Sequence, residues 1–140
     1  MPRGPRTYPA PTNLKVLPKD LTGQQVHEIM EKWAGSLGAH CDTCHTPDPN
    51  NVGPNGRPRM NFADDSKPEK NAARLMATMT RKINDETISM LPSKPGEEPG
   101  KVMCGTCHRG HLKPEAFVIP DDDGPRPPMG MPPGGAQAPK

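Results

Sequence analysis

The chain is poor in what an ordinary small domain folds around. Tyr8, Trp33, Phe62 and Phe117 are its only aromatic residues, and 31% of its 140 residues are hydrophobic. Side chains alone would give a thin core at this length. No long apolar run exists: the longest, Ala116-Phe117-Val118-Ile119, is far too short to cross a bilayer. The start, from Met1 to Pro11, is rich in proline and arginine and has no apolar centre, so it does not read as a secretory leader. The basic residues are dispersed rather than gathered into a patch with interleaved aromatics, which argues against nucleic acid as a partner. Alternating strand-like patterning is also missing ahead of either cysteine pair. The length bounds the chain to one small domain.

There are only four cysteines, and all are used in one motif. Cys41-Asp42-Thr43-Cys44-His45 and Cys104-Gly105-Thr106-Cys107-His108 are two Cys-x-x-Cys-His pentads. This pattern reads as two covalently attached c-type haems. Two thiols one helical turn apart can each add across one vinyl group of the same porphyrin, and the next residue supplies an imidazole to the iron. Cys41, Cys44, Cys104 and Cys107 are then thioether donors, with His45 and His108 as proximal ligands. Structural zinc is the main competitor. Zinc ribbons, however, bring their two pairs within about 20 residues, and zinc gives no reason for a histidine directly after both. A thioredoxin-like site would need one pair in a strand-helix setting, and two disulfides would leave the repeated histidine unexplained.

Two macrocycles would also repair the core deficit, since each buries a large flat apolar surface at roughly 25 cal/mol per Å². The protein without them should fold poorly. The formal charge of +2 falls to about zero once four propionates and two ferric centres of about +1 each are counted. Covalent haem attachment takes place outside the cytoplasm in bacteria. The expected location is therefore periplasmic or extracellular, after loss of a signal not present in this sequence. With every cysteine committed, none remains for a lipid anchor.

The expected fold class is mainly α: a small multihaem cytochrome with few helices, long loops and extended proline-rich termini. Three segments are expected: an extended segment at 1–20, a diheme domain at 21–114, and a Pro/Gly-rich tail at 115–140 that turns acidic at Asp121–Asp123. A first helix starts at a capping box of Thr22 and Gln25, with Leu21 and Val26 as a staple and Gly38 at its far end. Val26, Ile29, Met30, Trp33 and Leu37 form its apolar face. The proline-punctuated stretch 46–61 reads as loop. Ser66, Pro68 and Glu69 announce a second helix, with Ala72, Met76, Met79 and Ile83 facing inward and an end between Asn84 and Leu91, because Pro92 forbids continuation. Residues 92–100 form another loop. The halves make a weak repeat: a methionine-bearing helix, a loop or turn, then a pentad.

Three stretches carry a family resemblance. They are Met30 followed by Leu37-Gly38-Ala39-His40-Cys41-Asp42-Thr43-Cys44-His45; Ala73-Arg74-Leu75-Met76-Ala77-Thr78-Met79-Thr80-Arg81-Lys82-Ile83-Asn84; and Val102-Met103-Cys104-Gly105-Thr106-Cys107-His108-Arg109-Gly110. Spanning roughly 14–114, the chain resembles the cytochrome c subunit of photosynthetic reaction centres and the smaller diheme cytochromes that look like half of it. In that family each haem takes its sixth ligand, usually methionine, from the helix before its pentad. The resemblance therefore implies Met30 for the first haem and, on the Arg-x-Met-x-x-Met-x-x-x-x-Asn run, Met76 for the second. Met30 also lies on the apolar face of its helix, and thioether sulfur suits haem iron. His27 rivals Met30; Met79, then Met90, rival Met76. Any of these methionines can instead pack as ordinary core. His40 and His111, beside the pentads, are poorly placed to reach the far side of their own rings. Arg109 can pair with a propionate.

Methionine opposite histidine closes both axial positions, so the expected function is single-electron transfer rather than catalysis. The expected partners are redox proteins, a membrane electron-transfer complex, or further copies of the chain. Two alternatives stand beside this. A haem assembly or filament could be tied together by the proline-rich ends. A diheme peroxidase also has two pentads, but needs a displaceable axial position and is usually longer.

Overall fold

The computed structural model describes residues 6–119 and residue 121. The expected tail beyond Ile119, with Asp122 and Asp123, and the first five residues, with Pro2 and Pro5, therefore lie outside the described residues apart from Asp121. Helices dominate, as expected. In chain order they are α1 (Gly23–Leu37), α2 (Cys41–Cys44), α3 (Pro68–Lys82) and α4 (Cys104–His108), with a two-stranded hairpin between α2 and α3.

The first helix forms as its sequence dictates. Thr22 Oγ1 accepts from the Gln25 N–H at 3.2 Å, and Gln25 Oε1 accepts from the Thr22 N–H at 2.9 Å, so the capping box is complete. It ends on Gly38, which adopts φ 59°, the left-handed conformation that glycine reaches without strain.

The stretch expected as loop is instead β1 (Thr46–Val52) paired antiparallel with β2 (Pro58–Asn61). Thr46 faces Asn61, Pro47 faces Met60 and Asp48 faces Arg59, and the register shifts before Val52 meets Pro58. In a two-stranded sheet each strand has one free edge, so a proline lacking its N–H can sit there without breaking a ladder. That is how Pro47, Pro49 and Pro58 are accommodated in the strands, while Pro54 lies in the turn between them. Gly56, at φ 72°, makes the turn, and the Gly53 N–H donates to the Arg57 carbonyl at 2.9 Å.

The second long helix differs from expectation at its start. Its N-cap is Lys67, which makes no side-chain cap, and the Ser66 N–H donates to Asp64 Oδ1 at 2.7 Å. Pro68 takes the first turn as expected, Glu69 lies at the positive end of the helix dipole and Arg81 and Lys82 at the negative end. After Lys82 the chain continues as a π turn (Ile83–Thr87) and a 3₁₀ turn (Ile88–Met90). Leu91 is then extended, the conformation imposed by the following Pro92.

The halves are interlocked. α1 packs on α4, and α2 packs on α3, so the helix preceding each pentad lies against the pentad of the other half. The Gly110 N–H donates to the Ser36 carbonyl at 2.9 Å, and a Cβ on Gly38 would overlap the Gly110 carbonyl. Residues 6–20 form neither helix nor strand, bend at 15–17 and turn at 19–20, and contact the elements that follow. Tyr8 stacks on His27 with ring centroids 4.1 Å apart, the Tyr8 and Pro9 carbonyls press against Gly23, and Arg74 and Arg81 donate to the Asn13 and Val16 carbonyls.

Among the described residues no apolar side chain is buried, and Lys70 is the one buried polar residue. The face of α3 expected to turn inward is exposed instead: Met76 is 37% and Met79 43% accessible. An apolar groove of about 320 Å³ runs along that helix into the π turn, lined by Leu75, Thr78, Met79, Lys82, Ile83, Glu86 and Thr87. Leu75, itself exposed, lines this groove, and Ala72 and Met76 do not.

Candidate haem-binding sites

Each pentad begins as a short helical turn, which puts its two cysteines three residues apart on one side. The turns share one device. Thr43 Oγ1 accepts from the His40 N–H at 3.3 Å, and Thr106 Oγ1 accepts from the Met103 N–H at 2.9 Å. The third residue of each motif thereby ties down the backbone just before its first cysteine. No disulfide joins any of the four cysteines. Among the described residues no three His, Cys, Asp or Glu side chains converge as a metal cluster. Burial is the main cause pushing the Cys44 thiol up, with Glu69 adding to it and Lys67 opposing.

The donor chemistry of the histidines fits a haem. His108 Nδ1 lies 3.0 Å from the carbonyl oxygen of His111. A carbonyl can only accept, so Nδ1 carries the proton and Nε2 keeps a lone pair for a metal. His45 is held differently. Its Nδ1 is buried without a hydrogen-bond partner, and its ring meets Phe62 edge-on at a centroid distance of 5.1 Å. Burial foremost, then Lys70, Arg74 and Lys67, hold the His45 imidazole below its ordinary pKa, and so neutral and able to ligate.

The candidates for the sixth position are placed unequally. Met30 lies part-buried on α1. His27, one turn earlier, is engaged elsewhere: Tyr8 covers its ring and Nε2 lies 3.1 Å from Glu31 Oε1. On α3, Met79 lines the apolar groove and Met76 does not, while Met90 is 79% exposed. His40 is exposed, and His111 lies 3.6 Å from Glu115 besides lending its carbonyl to His108. Arg109 is an exposed left-handed residue, φ 52°, closing α4.

Beside the first pentad stands a charge cluster that patterning along the sequence did not reveal. Asp65 is contacted by Lys15 at 2.8 Å, Lys70 and Arg74 at 2.9 Å and Asn13 at 3.0 Å. Arg74, then Lys15 and Lys70, hold its carboxyl far below the usual carboxylate range. Lys70 also donates to the Phe62 and Asp64 carbonyls at 2.8 and 2.6 Å, and Lys67 donates to the Asp42 carbonyl inside the pentad. Lys70 and Arg74 lie within ten positions of Asp65, but Asn13 and Lys15 reach it from 52 and 50 positions away, a separation no local pattern records. The shared threonine of the two pentads was visible in the sequence; its hydrogen bond was not.

Two curated proteins are similar to this chain. Cytochrome c-554 of Chloroflexus aurantiacus is 35% identical over 102 residues, covering 72% of this chain and 21% of that protein. The photosynthetic reaction center cytochrome c subunit of Rubrivivax gelatinosus is 32% identical over 115 residues, covering 80% of this chain and 26% of that protein. The chain thus spans about a fifth to a quarter of the length of these relatives. No solved structure matches it. The family described as photosynthetic reaction centre cytochrome C subunit matches residues 3–129, a span that takes in both pentads and all of α1 and α3. The chain belongs to the photosynthetic reaction centre cytochrome c subunit family.

Proposed function

We propose that this chain is a diheme c-type cytochrome that passes single electrons between redox partners outside the cytoplasm. The observation that carries the reading is the pair of alike turns, each presenting two thiols and a histidine on a threonine-braced backbone, in a chain with no buried apolar side chain among its described residues. Each bound haem supplies a centre that changes its charge by one electron. Cys41 and Cys44, with Cys104 and Cys107, hold the two groups covalently. His45 and His108 would each hold an iron through a ring nitrogen, and Met30 with Met76 or Met79 would supply the further ligands, so that the groups would carry electrons rather than bind substrate. The engagement of His27 with Tyr8 and Glu31 supports Met30, and the apolar groove favours Met79 over Met76 as the sulfur of the second site.

The interlock of α1 with α4 and of α2 with α3 keeps both sites within one small body, the arrangement a relay between them needs. The partners are redox proteins, a membrane electron-transfer complex or further copies of the chain; no helix among the described residues is long and apolar enough to cross a bilayer. A photosynthetic partner follows from the names of the relatives alone. Denaturing mass spectrometry of the processed protein tests the reading: the chain mass should be raised by two haems, and a mass without haem would overturn it. Low-spin six-coordinate spectra at both centres mark a carrier, and peroxide turnover with a high-spin component would mark a peroxidase.

A further inference from the structure

An imidazole and a thioether stand within one turn of the same helix. His27 and Met30 are three residues apart on α1, so their side chains leave it on the same side. A neutral imidazole binds ferric haem iron more strongly than a thioether does, and exchanging methionine for histidine lowers the potential. Methionine at this position therefore persists only where the neighbouring imidazole is kept away.

The structure contains the means of keeping it away. Tyr8 lies flat on His27, with ring centroids 4.1 Å apart and planes inclined by 19°. At the outer end of the imidazole, Nε2 lies 3.1 Å from Glu31 Oε1. A carboxylate accepts, so the ring nitrogen that reaches furthest from the backbone carries a proton instead of a free lone pair. Tyr8 is in turn fixed from a distance. Asn13 Nδ2 donates to the Ala63 carbonyl at 2.7 Å and to Asp65 Oδ1 at 3.0 Å, and Lys15 pairs with Asp65 at 2.8 Å. Arg74 and Arg81 of α3 donate to the Asn13 and Val16 carbonyls, each at 3.3 Å. At the other end the Tyr8 and Pro9 carbonyls lie against Gly23, the first residue of α1, where a Cβ would stand 2.6 and 2.3 Å from their oxygens. A segment anchored at both ends thus lays one aromatic ring over one histidine.

We propose that residues 8–16 are a ligand-selecting strap: together with Glu31 they hold His27 under Tyr8, which leaves Met30 to reach the iron and keeps that centre at the potential a thioether gives. Tyr8 and Glu31 are positioning residues that act through His27 and do not touch the iron. In the exchange that the strap prevents, one Fe–S bond breaks, one Fe–N bond forms and the Nε2 proton leaves to solvent, with no change of oxidation state. The inference rests on the diheme reading above and on Met30 as a ligand.

The ferric holoprotein tests it through the methionine-to-iron charge-transfer band and the electron paramagnetic resonance of its low-spin centres. Tyr8→Ala should lose one centre's share of the band, show bis-histidine g-values at that centre and lower its potential. Tyr8→Phe keeps the stacked ring and should match wild type. Tyr8→Ala combined with His27→Leu should recover the band, which a general loosening of the fold would not allow. Gly23→Ala displaces the strap without altering either ring; it should reproduce the Tyr8→Ala change, and it decides the question if Tyr8→Ala does not mature. An unchanged spectrum in Tyr8→Ala, or a lost band that His27→Leu does not restore, overturns the inference. Met30→Ala separates the two levels. If that variant keeps the full band, the ligand assignment itself fails; a band lost in Met30→Ala but kept in Tyr8→Ala removes the strap alone.

Discussion

The side chain of Asn84 grips the backbone of Val102 from both sides: Oδ1 accepts from the Val102 N–H and Nδ2 donates to the Val102 carbonyl, each at 2.8 Å. The clamp joins the π turn after α3 to the residue two positions before Cys104, fixing where the second pentad starts. Asn84→Ala removes both bonds and should cost about 2 kcal/mol, at about 1 kcal/mol for each part-buried bond. Urea unfolding of the holoprotein measures this, and a midpoint equal to wild type would mean that the clamp contributes nothing.

Gly38 is constrained twice, by φ 59° and by the Gly110 carbonyl where a Cβ would stand. Gly38→Ala should therefore destabilise by more than the roughly 1 kcal/mol that a left-handed alanine costs by itself. Gly35, inside α1 with open space around it, is the control. Gly35→Ala should stabilise by roughly 0.5 to 1 kcal/mol through helix propensity. Thermal melts of the two proteins should shift in opposite directions.

Thr43 and Thr106 brace their pentads through one hydroxyl each. Thr106→Val keeps the shape and removes the acceptor, at a cost of about 1 kcal/mol; Thr106→Ser should recover most of it. Calorimetry of the three proteins checks the order.

Asp65 supplies a pH dependence with a definite sign. Its carboxyl is held far below the ordinary value by Arg74, Lys15 and Lys70. A depressed folded pKa contributes stability that is fully present above the unfolded value of about 3.9 and is lost as pH falls toward the folded one. Wild type should thus lose stability steadily as acid is added below about pH 4. Asp65→Asn should start less stable at pH 7 and show a flatter acid limb. Equal slopes in the two proteins would remove Asp65 from this account.

Methionine ligation is separable by variant. Met30→Ala should abolish the sulfur-to-iron charge-transfer band of the first centre alone. Between Met76→Ala and Met79→Ala, one should do the same at the second centre while the other leaves the spectrum unchanged. An unaltered spectrum in Met30→Ala would direct attention back to His27.

Much of the local structure could be read along the chain because its causes are local. Thr22 and Gln25 cap α1 within a single turn, Gly38 ends it, and Pro68 and Pro92 bracket the helical stretch, each acting on neighbours a few residues away. The hairpin at 46–61 was not legible, because proline density is a valid loop signal until a strand finds an edge where the missing N–H does no harm. Ser66 misled for a related reason: Asp64 offered its N–H a nearer acceptor.

The amino-acid sequence by itself determined the chemistry: which four sulfurs and two imidazoles are available, and at what spacing, since a Cys-x-x-Cys-His turn is complete within five residues. Only the tertiary structure decided how the two copies differ. His108 is met by a carbonyl only three positions on, whereas His45 is packed by Phe62 at the end of the hairpin and flanked by Lys67 from the start of α3, residues remote along the chain, and long-range placement is set by packing rather than by local preference.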